Sequence, residues 1–147
     1  MASVVAVCAS NKKGTRKQPV PEGRLKDDYG LIGDAHAGGT PNRQVSLLAV
    51  ESIEKMRHLG LELGPGDFAE NITIEDMDLC HLPVGTRLLI GEKVVLEVTQ
   101  IGKECHTACA IRRQVGQCIM PEEGVFARVV RGGPVRAGDK VKIGEKP

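Results

Sequence analysis

Short apolar runs broken by polar or glycine-bearing stretches dominate the chain, and few are long enough to make a helix. Val4–Ala9, rich in valine, reads as a buried strand. Gln44–Leu48 alternates in strand fashion, and Phe68–Ile74 leads into another strand. Thr86–Ile90 and Val94–Ile101 flank Gly91-Glu92-Lys93 and predict a hairpin. Val125–Arg131 is strand-like, Gly132-Gly133-Pro134 predicts a turn, and Asp139–Ile143 alternates as a closing strand. Ala49–Leu59 is different. Ala49, Val50, Ile53, Met56 and Leu59 recur at helical spacing, with Glu51–Lys55 and Glu54–His58 as i, i+4 pairs and Gly60 as the stop. A second short helix is expected after Cys109. Six to eight short strands and one clear helix predict a mainly β fold, a barrel with short peripheral helices. With no repeat or linker, residues 1–147 read as a single domain.

Composition narrows the class. Lys and Arg total 20 against 19 Asp and Glu, a net charge of +1, which disfavours general nucleic-acid binding through phosphates. The three aromatic residues, Tyr29, Phe68 and Phe126, are too few for a base-stacking surface, so the core must come from Val, Ile, Leu, Ala and Met. No apolar run approaches the roughly 20 residues of a membrane span. The N-terminus lacks the charge pattern of a secretory signal. Five cysteines, an odd number, then indicate thiols in a reducing compartment, and the expected location is cytoplasmic.

The densest chemistry lies in Gly102–Cys118, where Cys105, Cys109 and Cys118 stand among Lys103, His106, Arg112 and Arg113. Nearby positive charge lowers a thiol's pKa, and the thiolate then ligates a soft metal, attacks an electrophile or carries sulfur as a persulfide. Two rivals stand beside that reading. In one, the cysteines are structural in a non-catalytic β-barrel interaction module. In the other, Cys105, His106, Cys109 and Cys118 hold zinc, although C-x3-C-x8-C fits a zinc knuckle poorly. Cys8 and Cys80 are expected in the core as small hydrophobes.

Elsewhere, Lys12, Lys13, Arg16 and Lys17 make either a solvated basic loop or an anion-attracting rim. Asp34 and His36 sit in a glycine-dense stretch, where an Asp-x-His pattern reads most simply as a turn with a local hydrogen bond. Arg43, at the mouth of a strand, suits a bidentate grip on phosphate or carboxylate. Asn71 either hydrogen-bonds a polar ligand or closes a turn.

Taken in order, Gly33-Asp34-Ala35-His36, Arg43-Gln44-Val45-Ser46-Leu47-Leu48 and Gly66-Asp67-Phe68-Ala69-Glu70-Asn71-Ile72-Thr73 resemble the MOSC domain family, as do Leu82-Pro83-Val84-Gly85-Thr86, Leu96–Ile101 and the cysteine segment. The family is named for the C-terminal domain of molybdenum cofactor sulfurase. The resemblance implies a barrel of the pyruvate kinase β-barrel type. It also implies a role in handling the molybdenum cofactor (molybdopterin) or sulfur, with carrier and enzyme both open. Cys105 or Cys109 would carry sulfur or ligate molybdenum; Glu104 stands where members with one cysteine have proline, and three residues separate the pair where two-cysteine members have two. Arg43, Asn71, His36 and Arg112 would be cofactor contacts. The stand-alone form implies a sulfur donor such as a cysteine desulfurase, or a molybdoenzyme acceptor. No pyridoxal phosphate site is evident in the sequence, and from charge and apolar-run length neither nucleic acid nor membrane is expected as a partner.

Overall fold

The structure, a computed structural model, describes residues 2–10, 17–35, 37–38, 43–57, 64–66, 68, 70–102 and 123–144. Among the described residues, eleven strands and one helix follow in the order β1 (Ser3–Ala9), β2 (Gln18–Val20), β3 (Gly23–Lys26), β4 (Gly30–Leu31), β5 (Val45–Ala49), α1 (Val50–Arg57), β6 (Ile72–Glu75), β7 (Arg87–Ile90), β8 (Val94–Ile101), β9 (Val125–Arg131), β10 (Gly133–Val135) and β11 (Val141–Ile143). A single 3-10 turn, Leu79–His81, lies between β6 and β7.

Eight strands form one sheet in the order β11-β7-β8-β9-β5-β6-β1-β2. The sheet curls until the start of β1 meets the start of β11. Ser3 bridges Lys140, the Val4 N–H donates to the Asp139 carbonyl at 2.8 Å, and the Val141 N–H donates to the Ala2 carbonyl at 3.0 Å. The fold is therefore mainly β and barrel-like, as expected. Alternation drives the curl. In β7 and β8, Leu88, Ile90, Val94, Leu96 and Val98 point inward, and Val45, Leu47, Ile72, Ile74, Val125, Ala127 and Val129 meet them from the facing strands. Each large aliphatic side chain so buried contributes about 1.5–3 kcal/mol.

The helix has a topological reason. β5 and β6 are parallel neighbours, and a parallel pair needs a crossover that a hairpin cannot supply. α1 begins that crossover and seats Ile53 in the interior. It runs Val50–Arg57, while Ala49 belongs to β5, and residues 58–60 lie outside the described set. Lys55 does not turn to Glu51. Its Nζ reaches Glu123 at 3.1 and 3.2 Å, and Ser52 Oγ donates to the same carboxylate at 2.6 Å.

A second sheet, β10-β3-β4, departs from the sequence reading. Gly133 and Pro134, expected in a turn, pair with Leu25 and Arg24. The glycine-dense stretch after Tyr29 opens as strand β4. Buried Gln44 ties this layer to the barrel: its Oε1 accepts from the Val129 N–H at 2.9 Å, and its Nε2 donates to Asp28 at 2.8 Å.

Candidate functional site

The cysteine segment leaves and re-enters the barrel at one point. β8 ends at Ile101, and the Gly102 N–H donates to the Gly124 carbonyl at 2.7 Å just before β9. Residues 103–122 lie outside the described set, and with them Cys105, Cys109, Arg112 and the expected second helix. What the structure does describe is the base. Gln100 Nε2 donates to the Gly102 carbonyl at 2.8 Å, and Gln100 Oε1 accepts from Arg43 Nε at 3.3 Å. The Arg43 guanidinium lies 5.6 Å from the Phe126 ring centroid, a cation–π contact that steadies an exposed cation. Among the described residues its two Nη groups have no hydrogen-bond partner, so its anion-gripping edge is uncommitted. Arg43 thus stands two side-chain hydrogen bonds from the root of the cysteine segment. Cys105 is three residues beyond that root, and three residues of chain reach at most roughly 11 Å.

Asn71 is fully buried. Its Oδ1 accepts from the Ser46 N–H at 3.0 Å and from Ser46 Oγ at 3.2 Å, and its Nδ2 donates to the Cys8 carbonyl at 3.2 Å. Its own N–H and C=O bond to Ser46 and Cys8 as well. The side chain therefore braces β1, β5 and the start of β6 from within. His36 lies outside the described residues.

Two buried ionisable groups were not legible as such. Lys17, expected in a solvated or anion-attracting loop, is wholly buried. Its Nζ meets Asp34 Oδ1 at 2.7 Å, with side-chain exposures of 0% and 1%. Asp34 is thus a long-range ion-pair partner as well as a turn residue. Its Oδ1 also accepts from the Ser10 N–H at 3.0 Å, and the Ala35 N–H donates to the Ser10 carbonyl at 2.7 Å. Ser10 and Lys17 flank residues 11–16, so both feet of the basic loop are fastened at Asp34 and Ala35. Gly66 closes against Lys17: with φ of +88°, a Cβ there would stand 2.2 Å from the Lys17 carbonyl oxygen.

Glu70 is the second group. It is fully buried and accepts from the Gly66 N–H at 3.0 Å, the Phe68 N–H at 3.3 Å and Thr73 Oγ1 at 2.8 Å. Burial pushes its pKa above the ordinary 4.5 and outweighs these hydrogen bonds, which pull it down. A carboxyl with a raised folded pKa binds its proton more tightly when folded. Its contribution is complete below the unfolded pKa and is lost as pH rises through the folded value. Denaturant titrations of wild type and Glu70→Gln should therefore show wild type losing stability relative to the variant as pH climbs above about 4.5. A difference that grows the other way would contradict this.

Cys80, expected in the core, is only half-buried. It packs its back against core residues and turns its sulfur toward a groove. Asp78 and His81 converge on it: His81 Nδ1 to Asp78 Oδ2 is 2.7 Å, and Cys80 Sγ lies 3.8 Å from both Asp78 Oδ1 and His81 Nδ1. Burial, then Asp78 and Glu123, push the Cys80 thiol pKa up, opposed by Lys55. The sequence signal, Asp78-Leu79-Cys80-His81, was present but lies far along the chain from the other cysteines. Cys8, by contrast, is fully buried, as expected of a core thiol.

The fold has known counterparts. The sequence profile of the MOSC domain matches residues 34–142, and the chain belongs to the MOSC domain family, which is associated with molybdenum cofactor sulfurase-like proteins. Its fold is similar to the crystal structure of the YuaD protein from Bacillus subtilis, at TM-score 0.80 and 17% identity, covering 97% of this chain and 96% of that one. It is also similar to YiiM from Geobacillus stearothermophilus (TM-score 0.76, 17% identity, 99% and 76% covered). YiiM from Escherichia coli follows at TM-score 0.71 and 19% identity, with 100% and 71% covered. No curated protein sequence matches the chain. Among the described residues, no helix is long and apolar enough to cross a membrane.

Proposed function

We propose that the protein binds the molybdenum cofactor and carries or transfers sulfur through a thiol of the cysteine segment, Cys105 or Cys109. One observation carries the reading. An exposed arginine with an uncommitted guanidinium edge, Arg43, is linked through Gln100 to Gly102, three residues before Cys105. The donor set fits the group. Molybdopterin is a large anion with a phosphate at one end and a soft metal–sulfur centre at the other, and it needs cationic donors and a thiolate at those ends. Bound there, it supplies a metal centre with a transferable sulfur position.

The chain's own residues do the rest. Arg43 grips the anionic end, with Arg112 and His36 as further contacts, and Asn71 holds the strand behind this surface in register. A Cys105 or Cys109 thiolate attacks the outer sulfur of a donor persulfide. The donor's S–S bond breaks, a new S–S bond forms on the cysteine, and the donor leaves as a thiolate. Alternatively, the Cys105 or Cys109 thiolate would hold molybdenum directly. The donor would be a cysteine desulfurase, the acceptor a molybdoenzyme, and the compartment the reducing cytoplasm.

Loading the full chain with cofactor and measuring molybdenum retained by Cys105→Ser, Cys109→Ser and the double variant tests the metal arm. Native mass spectrometry after incubation with a desulfurase tests the sulfur arm. The expected results are loss of molybdenum in one single variant, or an adduct of about 32 Da on wild type that the double variant lacks. Unchanged retention in all three variants, together with no adduct and thiols that label only after unfolding, would replace this reading with that of an interaction module bearing structural cysteines.

A further inference from the structure

The groove beside α1 holds about 390 Å³ and is separate in sequence from the cysteine segment. Its mouth is formed by the 3-10 turn. Residues three apart on such a turn eclipse one another, which stacks Asp78 and His81 on one face with Cys80 beside them. Asp78 stands at the N-cap of this turn but makes no capping hydrogen bond with its side chain; the carboxylate turns to His81 and Cys80 instead.

The geometry excludes one use of these three groups. In a thiol–imidazole–carboxylate relay, the two ring nitrogens face opposite partners, so that one accepts the thiol proton while the other donates to the carboxylate. Here the Cys80 sulfur and the Asp78 carboxylate both address the same atom, His81 Nδ1. One nitrogen cannot serve both. One donor atom from each residue, a carboxylate oxygen, the sulfur and a ring nitrogen, instead lies within 4.8 Å of the other two.

That spacing suits a tetrahedral ion. Zinc takes sulfur at about 2.3 Å and nitrogen or carboxylate oxygen at about 2.0–2.2 Å, which sets ligand–ligand edges of roughly 3.3–3.6 Å. The two sulfur distances of 3.8 Å lie within a few tenths of an ångström of such an edge. The 2.7 Å nitrogen–oxygen contact involves the other carboxylate oxygen, Oδ2, and this hydrogen bond opens by about 0.6 Å when an ion replaces its proton. Charge points the same way. Glu51, Asp76 and Glu123 line the groove with Asp78, and among the described residues its one lysine, Lys55, is already paired with Glu123. Access is open, with the His81 and Asp78 side chains 77% and 71% exposed.

We propose that Asp78, Cys80 and His81 form a binding site for a divalent transition metal of zinc-like character, with a fourth coordination position open to the groove. One thiolate, one imidazole and one carboxylate make a donor set of intermediate softness, which selects zinc over calcium or magnesium. The site is independent of the molybdenum and sulfur chemistry above.

Cobalt and zinc titrations of the full chain test it, with Cys105→Ser, Cys109→Ser and Cys118→Ser combined to remove the other thiol cluster. The expected result in that background is one cobalt per chain with a thiolate-to-cobalt charge-transfer band, displaced by one zinc. Adding Cys80→Ser abolishes the band. Adding His81→Ala weakens binding by more than the roughly 10- to 100-fold that outer-shell changes cost, with circular dichroism unchanged. A band that is absent from the triple-serine background, or that survives Cys80→Ser, overturns the assignment. Should the triple-serine chain fail to fold, Cys80→Ser alone must remove one metal equivalent from wild type, and retention of the full count overturns it equally.

Discussion

Replacing Asp34 with alanine is expected to cost about 3–5 kcal/mol of folding stability, because it leaves the ammonium of Lys17 in the interior without its carboxylate. Against a typical total of about 5–15 kcal/mol, that is a large share. Two further losses accompany it: the Ser10 N–H loses its acceptor, and the feet of the 11–16 loop lose their common anchor. Urea denaturation provides the measurement. The charge itself is dispensable, since a buried ion pair exchanged for apolar groups of similar volume is often neutral. Lys17→Met combined with Asp34→Leu should therefore recover most of what Asp34→Ala loses. A single variant within about 1 kcal/mol of wild type would show that the pair lacks the structural weight its burial implies.

Asn71→Ala is expected to lower stability by about 3 kcal/mol or more. It removes one acceptor from the Ser46 N–H, another from Ser46 Oγ, and the donor from the Cys8 carbonyl. Each buried hydrogen bond removed costs up to about 1–3 kcal/mol, and neighbouring losses of this kind do not simply add. The prediction separates two roles. A brace loses thermal stability whether or not cofactor is present, whereas a surface contact loses cofactor affinity and keeps its melting temperature. Thermal melts with and without cofactor distinguish them, and an unchanged melting temperature without cofactor would reverse the assignment.

The main sheet was legible from the sequence wherever a strand carried its own signal. Val4–Ala9, Val94–Ile101 and Val125–Arg131 are long and β-branched, and all three stand as strands. The second sheet was not. Its strands are two to four residues long and contain Gly23, Gly30, Gly133 and Pro134, which locally read as turns. Pairing alone makes them strands, with Leu25 meeting Leu31 nearby and Gly133 from far along the chain. The same non-locality hid Lys17, which looks like one more loop cation until Asp34 is brought beside it. Arg43 was recognised as a candidate from its place before a strand, but its link through Gln100 to Gly102 depends on β8 and β9 lying alongside β5. Cys80 was assigned to the core because half-burial on a short turn has no hydrophobic period to announce it.

The seam where Ser3 meets Lys140 makes the two extremes of the polypeptide depend on each other. During synthesis the first strand emerges long before its last neighbour exists. Until that neighbour arrives, the beginning of the opening strand, at Ala2 and Val4, carries unanswered backbone groups beyond the reach of β2, the kind of border along which strangers add. Shortening the tail has the same effect in the finished molecule: losing residues around 138–141 takes hydrogen bonds from Ala2 and Val4, at the opposite end of the sequence.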